Sequence, residues 1–105
     1  MAIKTDIHKF GLSEADLLSI QEVFAHYPEI KEIVVYGSRA KGNYRPGSDL
    51  DLVVFGDNIN LSLLNSISSE LEALSLPINI DLSSYESIES QSLKEHIGRV
   101  GVRLL

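Results

Sequence analysis

The sequence contains no cysteine. That absence excludes disulfides, cysteine-ligated zinc and thiol nucleophiles, and it fits a reducing cytoplasm. Basic residues are scarce: nine Lys and Arg against fifteen Asp and Glu leave a formal charge of −6. A surface made for nucleic acid would need many cations to neutralise phosphates, so the balance argues against direct nucleic-acid binding. No apolar run approaches the roughly 20 residues needed to span a bilayer, and Met1-Ala2-Ile3-Lys4-Thr5-Asp6 carries no apolar signal core. A soluble, unprocessed, cytoplasmic protein without membrane association is expected. The 105 residues and the 44% apolar share are those of one small globular domain over 1–105. Small domains bury a smaller fraction of their surface, so a substrate cleft between two domains is not expected within the chain.

What is present begins with a helix signal. Ser13 stands as N-cap with Asp16 three positions on, Leu12 and Leu17 form a hydrophobic staple, and Leu17, Ile20 and Phe24 recur at helical spacing. His26-Tyr27-Pro28 should end this helix. Ile33 to Tyr36 reads as a buried strand stopped by Gly37; residues 37–48 are polar, with room for one helical turn and a loop. Leu50 to Phe55 reads as a second buried strand. Leu61, Leu64, Ile67, Leu71 and Leu74 then mark an amphipathic helix running to Leu76-Pro77. Ile78 to Leu82 alternates as a third strand with Ile78, Ile80 and Leu82 facing the core. A last helix is predicted over Glu86 to Ile97, ended by Gly98, with a short terminal strand within Val100 to Leu104. The order predicts an α/β fold with a small sheet of three to four strands and helices mainly on one face.

Successive side chains of a strand point to opposite faces, so Asp49 and Asp51 project to the same side. Their repulsion must be offset by solvent, a donor or a cation, and oxygen ligands of this kind suit Mg²⁺ or Mn²⁺. Asp81 is the one acid of the third strand; if that strand lies beside the second, three carboxylates converge. An Asp-x-Asp pair alone arises readily by chance. Here it follows Gly37-Ser38, where a strand stops and a helical turn begins, and the free amides of such a turn suit a phosphate. The Ser38 hydroxyl can donate to a phosphate oxygen, and Arg39, Lys41 and Arg45 concentrate positive charge in an otherwise acidic chain.

Gly37-Ser38-Arg39-Ala40-Lys41-Gly42 followed by Ser48-Asp49-Leu50-Asp51-Leu52 resembles the signature of the DNA polymerase β-like nucleotidyltransferases, in which Gly-Ser precedes an Asp-x-Asp pair by about ten residues. Asp81 after Ile-Asn-Ile matches the third acid of that pattern. The brevity of the chain resembles the minimal nucleotidyltransferases encoded beside helical HEPN-domain proteins, and element order agrees from Ser13 to Leu105. The resemblance implies a polymerase β palm-like fold and a two-metal mechanism. Asp49, Asp51 and Asp81 would be catalytic and metal-holding, and Gly37, Ser38, Arg39, Lys41 and Ser48 nucleotide-binding. It further implies transfer of a nucleoside monophosphate, AMP from ATP, to a hydroxyl on a HEPN-domain partner, as the antitoxin-like half of the pair.

Two rival readings compete with this one. Asp49-Leu50-Asp51-Leu52-Val53 also resembles the start of haloacid-dehalogenase-type phosphatases, but there the apolar strand leads into the acids, whereas here it follows them. The other rival is a nucleotide-binding or catalytically weak antitoxin subunit that acts by covering its partner; self-association of the chain is compatible with either role. His8, His26 and His96 lack metal-ligand spacing and read as surface or packing residues. Tyr44 and Arg45 read first as solvated loop residues, second as contacts to a base or acceptor. Val53 and Phe55 share a strand face with Asp49 and Asp51 and need cover, from the first helix or from another protein.

Overall fold

The structure, a computed structural model, describes residues 9–104. The expectations for Met1 to Asp6, His8 and Leu105 lie outside the described residues. After a 3-10 turn at Lys9–Gly11, the elements are α1 (Glu14–Phe24), β1 (Ile30–Tyr36), α2 (Ser38–Lys41), β2 (Leu50–Gly56), α3 (Leu61–Glu72), β3 (Ile80–Ser84), α4 (Gln91–Val100) and β4 (Val102–Arg103). They form the mixed α/β fold expected from the sequence, with one four-stranded sheet in the order β3-β2-β1-β4. β1 is antiparallel to both β2 and β4, while β2 and β3 run parallel. Among the described residues, no helix is long and apolar enough to cross a membrane.

The helix starts are chemically marked. Ser13 Oγ accepts from the Asp16 amide at 3.1 Å, and Leu12 and Leu17 of the staple are both buried. Asn60 and Ser90 cap α3 and α4 in the same way, each accepting from the amide three residues on. α4 departs from the predicted bounds at both ends. Ser90 starts it later than Glu86, behind a 3-10 turn at Tyr85–Ser87, and it runs through Gly98, which is exposed and tolerated, to Gly101, whose amide closes on the Ile97 carbonyl at 2.8 Å.

Apart from Asp51, β2 is apolar along its length because both its faces are covered. Leu50, Leu52 and Val54 join Ile33 and Val35 in the main core beneath α1 and α3, where Ile20, Phe24, Ile67 and Leu71 meet them and Ile78, Ile80 and Leu82 pack at the edge. Each such side chain contributes about 1.5–3 kcal/mol when fully buried. Val53 faces the other way, into a second cluster with Val34, Tyr36 and Ile97. Two of the three long helices thus share one face, as expected, and α4 lies across the other. Within the chain, cover for this face comes from α4 and Tyr85 and not from the first helix: Val53 is completely buried in the cluster that contains Ile97 of α4, and Tyr85 stacks on the half-buried Phe55 at 4.6 Å.

Candidate active site

The acids lie on the α4 side of the sheet, beyond its apolar cluster. Asp51 on β2 stands directly opposite Asp81 of β3 on one flank and Tyr36 of β1 on the other. Directly opposed residues of adjacent strands share a face, so Tyr36, Asp51 and Asp81 form a row across three strands. Asp49, two residues before Asp51 and just ahead of β2, extends the row toward solvent; it and Asp81 are exposed, while Asp51 is half-buried. Burial pushes the Asp51 carboxyl above its ordinary range, and the negative charges of Asp81 and Asp49 push it further; His96 acts in the opposite sense. The Tyr36 phenol is raised for the same reasons, burial first and then Asp51 and Asp81.

Among the described residues, no three Asp, Glu or His side chains form a ready-made ligand cluster. The chemistry of the row nevertheless suits a hard divalent cation. Its donors are carboxylate oxygens from neighbouring strands, and Asp51 is raised first by burial and then by the repulsion of Asp81 and Asp49, both of which a bound cation would relieve. Mg²⁺ and Mn²⁺ therefore fit the donor set, with Asp49, Asp51 and Asp81 as the residues able to hold them.

The phosphate-type turn touches this row. Gly37 ends β1 with φ 76° and ψ −157°, a conformation that L-residues with a side chain rarely adopt, and caps the short helix α2. A Cβ there would overlap Oδ2 of Asp51, so the lack of a side chain lets the turn and the carboxylate lie in contact. Ser38 is half-buried and Lys41 exposed. Ser48 closes the preceding loop, its amide donating to the Arg45 carbonyl and its Oγ accepting from the Arg45 amide, both at 2.9 Å. Residues 37, 38, 49, 51 and 81 are brought to one end of the sheet.

Arg39 departs from its expected role. Its side chain is buried to 3% exposure, and its nitrogens donate to the carbonyls of Phe10, Ser48 and Pro46 at 2.8, 3.0 and 3.2 Å. Those donors are committed to backbone rather than presented to a phosphate. Tyr44 is likewise not a free loop residue, since its ring lies against the Arg39 guanidinium at 4.8 Å. Of the three basic residues in the turn, Lys41 and Arg45 remain exposed.

His96 is the residue that sequence reasoning undervalued. Its ring meets Tyr36 edge-on at 6.2 Å, and its charge is felt at Asp51. A signal existed: Leu93, Ile97 and Val100 mark the buried stripe of α4, and His96 lies three residues after Leu93 and four before Val100, on that stripe's border. A cleft lined by Leu71, Leu76, Ile78 and Ile80 lies on the α1 and α3 side of the sheet, without a basic residue in its lining, and has no connection with the acids.

The family model described as Polymerase beta, Nucleotidyltransferase matches residues 19–105. No curated protein sequence matches the chain. Among solved structures, a chain of a toxin–antitoxin with AMP-PNP superposes with a TM-score of 0.71 at 22% identity, over 85% of this chain and 72% of that one. A chain of the complex between a tri-AMPylated Shewanella oneidensis HEPN toxin and an MNT antitoxin gives 0.66 at 19% identity, over 88% and 71%. A chain of the toxin–antitoxin MntA-HepT gives 0.65 at 19% identity, over 89% and 72%. At such identities the likeness is one of fold.

Proposed function

The chain belongs to the polymerase beta nucleotidyltransferase family, and we propose that it transfers AMP from ATP to a hydroxyl of a helical HEPN-domain partner, as the antitoxin-like half of that pair. The observation that carries this reading is the register of β2 and β3: Asp51 and Asp81 are direct partners, and the backbone of Gly37 rests against Asp51. A scaffold that only covered a partner would gain nothing from acids set side by side against their repulsion.

In this reading Gly37 lets the triphosphate approach the backbone, the amides at the start of α2 and the Ser38 hydroxyl donate to phosphate oxygens, and exposed Lys41 supplies nearby positive charge. Asp49, Asp51 and Asp81 would hold Mg²⁺ or Mn²⁺, which when bound supplies charge neutralisation to the attacking and leaving oxygens. The acceptor oxygen bonds to the α-phosphorus, the bond from that phosphorus to the oxygen bridging to the β-phosphate breaks, and pyrophosphate leaves. Asp81, exposed at the end of the row, takes the acceptor proton. The fold likeness to toxin–antitoxin chains, one from a complex with a tri-AMPylated HEPN toxin, supports the choice of acceptor.

The test is to purify the chain with its HEPN partner, add ATP and Mg²⁺, and weigh the partner by mass spectrometry. One or more added AMP groups are expected, and Asp51→Asn should slow their appearance by at least about 10²-fold while the proteins still co-elute. Wild-type protein that leaves both ATP and partner unchanged would defeat the reading. A variant that neutralises the partner as well as wild type, without any transfer, would replace it by the binding-only role.

A further inference from the structure

We propose that Arg39 is a positioning residue that fixes the start of β2 against the Gly37–Ser38 turn, acting through the shape of its guanidinium rather than through its charge. The proposal deepens the reading of the site given above and rests on it. Arg39 is the second residue of α2, so its backbone moves with the turn. Its side chain reaches the loop that leads into β2, where Nε donates to the Ser48 carbonyl at 3.0 Å and Nη2 to the Pro46 carbonyl at 3.2 Å. The Ser48 carbonyl belongs to the peptide unit that leads directly into Asp49. A shift of that oxygen is a shift of the first acid of the row.

The remaining contacts show how much surrounding structure holds this side chain in place. Nη1 donates to the Phe10 carbonyl at 2.8 Å, and Phe10 is held at φ 59°, in the left-handed region that a bulky residue seldom enters. The next residue is glycine, where a Cβ would come within 2.6 Å of Nη1 and against the Tyr44 ring. Tyr44 closes the guanidinium from another side at 4.8 Å. Three segments therefore converge on one planar fork: the turn at Lys9–Gly11, α2 itself and the loop that ends at Ser48. Neutral carbonyls define the geometry, and a fixed five-donor fork can span them where the single ammonium of a lysine cannot.

Arg39→Lys and Arg39→Met separate shape from charge. In the ligand-free chain, amide hydrogen exchange over residues 43–49 should rise at least about tenfold in both variants, while the β1 and β2 amides of Val34 and Val53 keep their protection. In the complex with the HEPN partner, kcat should fall about 10²-fold in both, because displacement of a catalytic group by about 1 Å costs that much. KM for ATP should stay within about threefold, since the turn that cradles phosphate is not itself altered. Wild-type kcat in Arg39→Lys, or a loop as protected in Arg39→Met as in wild type, would overturn the proposal; so would a lower melting temperature with both readouts unchanged, which would make Arg39 merely structural. Should neither variant fold, the wild-type Arg39 Nε signal decides by nuclear magnetic resonance: it should be protected from exchange and unmoved by ATP with Mg²⁺, and a shift comparable to that of the Ser38 amide would overturn the proposal. If no preparation transfers AMP, the proposed function falls, while the exchange data on the free chain still decide the role of Arg39.

Discussion

Gly37 and Asp51 lie so close that no Cβ fits between them; a methyl on Gly37 would occupy the position of the Asp51 Oδ2 oxygen. Gly37→Ala should therefore destabilise the fold by about 1–3 kcal/mol, from the positive φ and from the displaced carboxylate. A double-mutant cycle with Asp51→Ala isolates the second part, with an expected coupling of about 0.5–3 kcal/mol in urea denaturation. Strict additivity of the two changes would show that the contact is incidental.

Asp51 should make the fold less stable at neutral pH. Its carboxyl is raised by burial, then by Asp81 and Asp49, so the contribution to stability is complete below the unfolded carboxylate range and is lost as pH rises through the raised folded value. The facing groups are Asp49, Asp81, Tyr36 and His96. Asp51→Asn should melt higher than wild type at pH 7, with the gap closing in acid, and Mg²⁺ should raise the melting temperature of wild type more than that of the variant. An equal Mg²⁺ effect on both would remove Asp51 from the metal site.

Tyr27 offers an independent pH signature far from the site. Its hydroxyl donates to Glu70, which also accepts from His26, linking the residues just after α1 to α3. The hydrogen bond to Glu70, more than burial, pushes the Tyr27 phenol up to about 12 and holds the Glu70 carboxyl below its usual range. The Tyr27 contribution is complete below pH 10 and lost as pH rises through about 12; the Glu70 contribution is present above the unfolded carboxylate value and lost as pH falls through the lowered one. Ultraviolet titration should find Tyr27 among the late-ionising tyrosines, and Glu70→Gln should return it toward 10. No change in that variant would mean the pair is not formed in solution.

α4 carries the second face of the sheet on a single fully packed aliphatic residue. Ile97→Ala should cost about 2–5 kcal/mol in urea denaturation, because Val34, Tyr36 and Val53 close around it. A cost below about 1 kcal/mol would mean that α4 docks loosely.

The sequence carried the fold well where burial imposes a period. β2 announced itself as a run that is apolar but for Asp51, because helices cover both its faces, and α3 by its helical stripe. The three acids were legible because strand alternation places Asp49 with Asp51, and apolar Ile80 and Leu82 on the core side place Asp81 opposite them. What could not be read was pairing across long separations. That Arg39 would turn to the Phe10 carbonyl 29 residues away depends on where the chain enters, which no local pattern encodes. His96 was undervalued for the same reason, since its neighbour Tyr36 lies 60 positions earlier and only the docking of α4 brings them together. α4 was misplaced because Gly98 stood out as a breaker, whereas exposure on the helix surface made it harmless.

The parallel pairing of β2 with β3 has a consequence for quality control of the folded chain. Core burial of Ile80 and Leu82 selects the register in which Asp51 meets Asp81. A slip of one residue would turn Asp81 inward and the two aliphatic side chains outward. A one-residue slip therefore disperses the acidic row together with the edge of the core, so the transfer activity proposed above would report on a correctly registered sheet and not merely on compact protein.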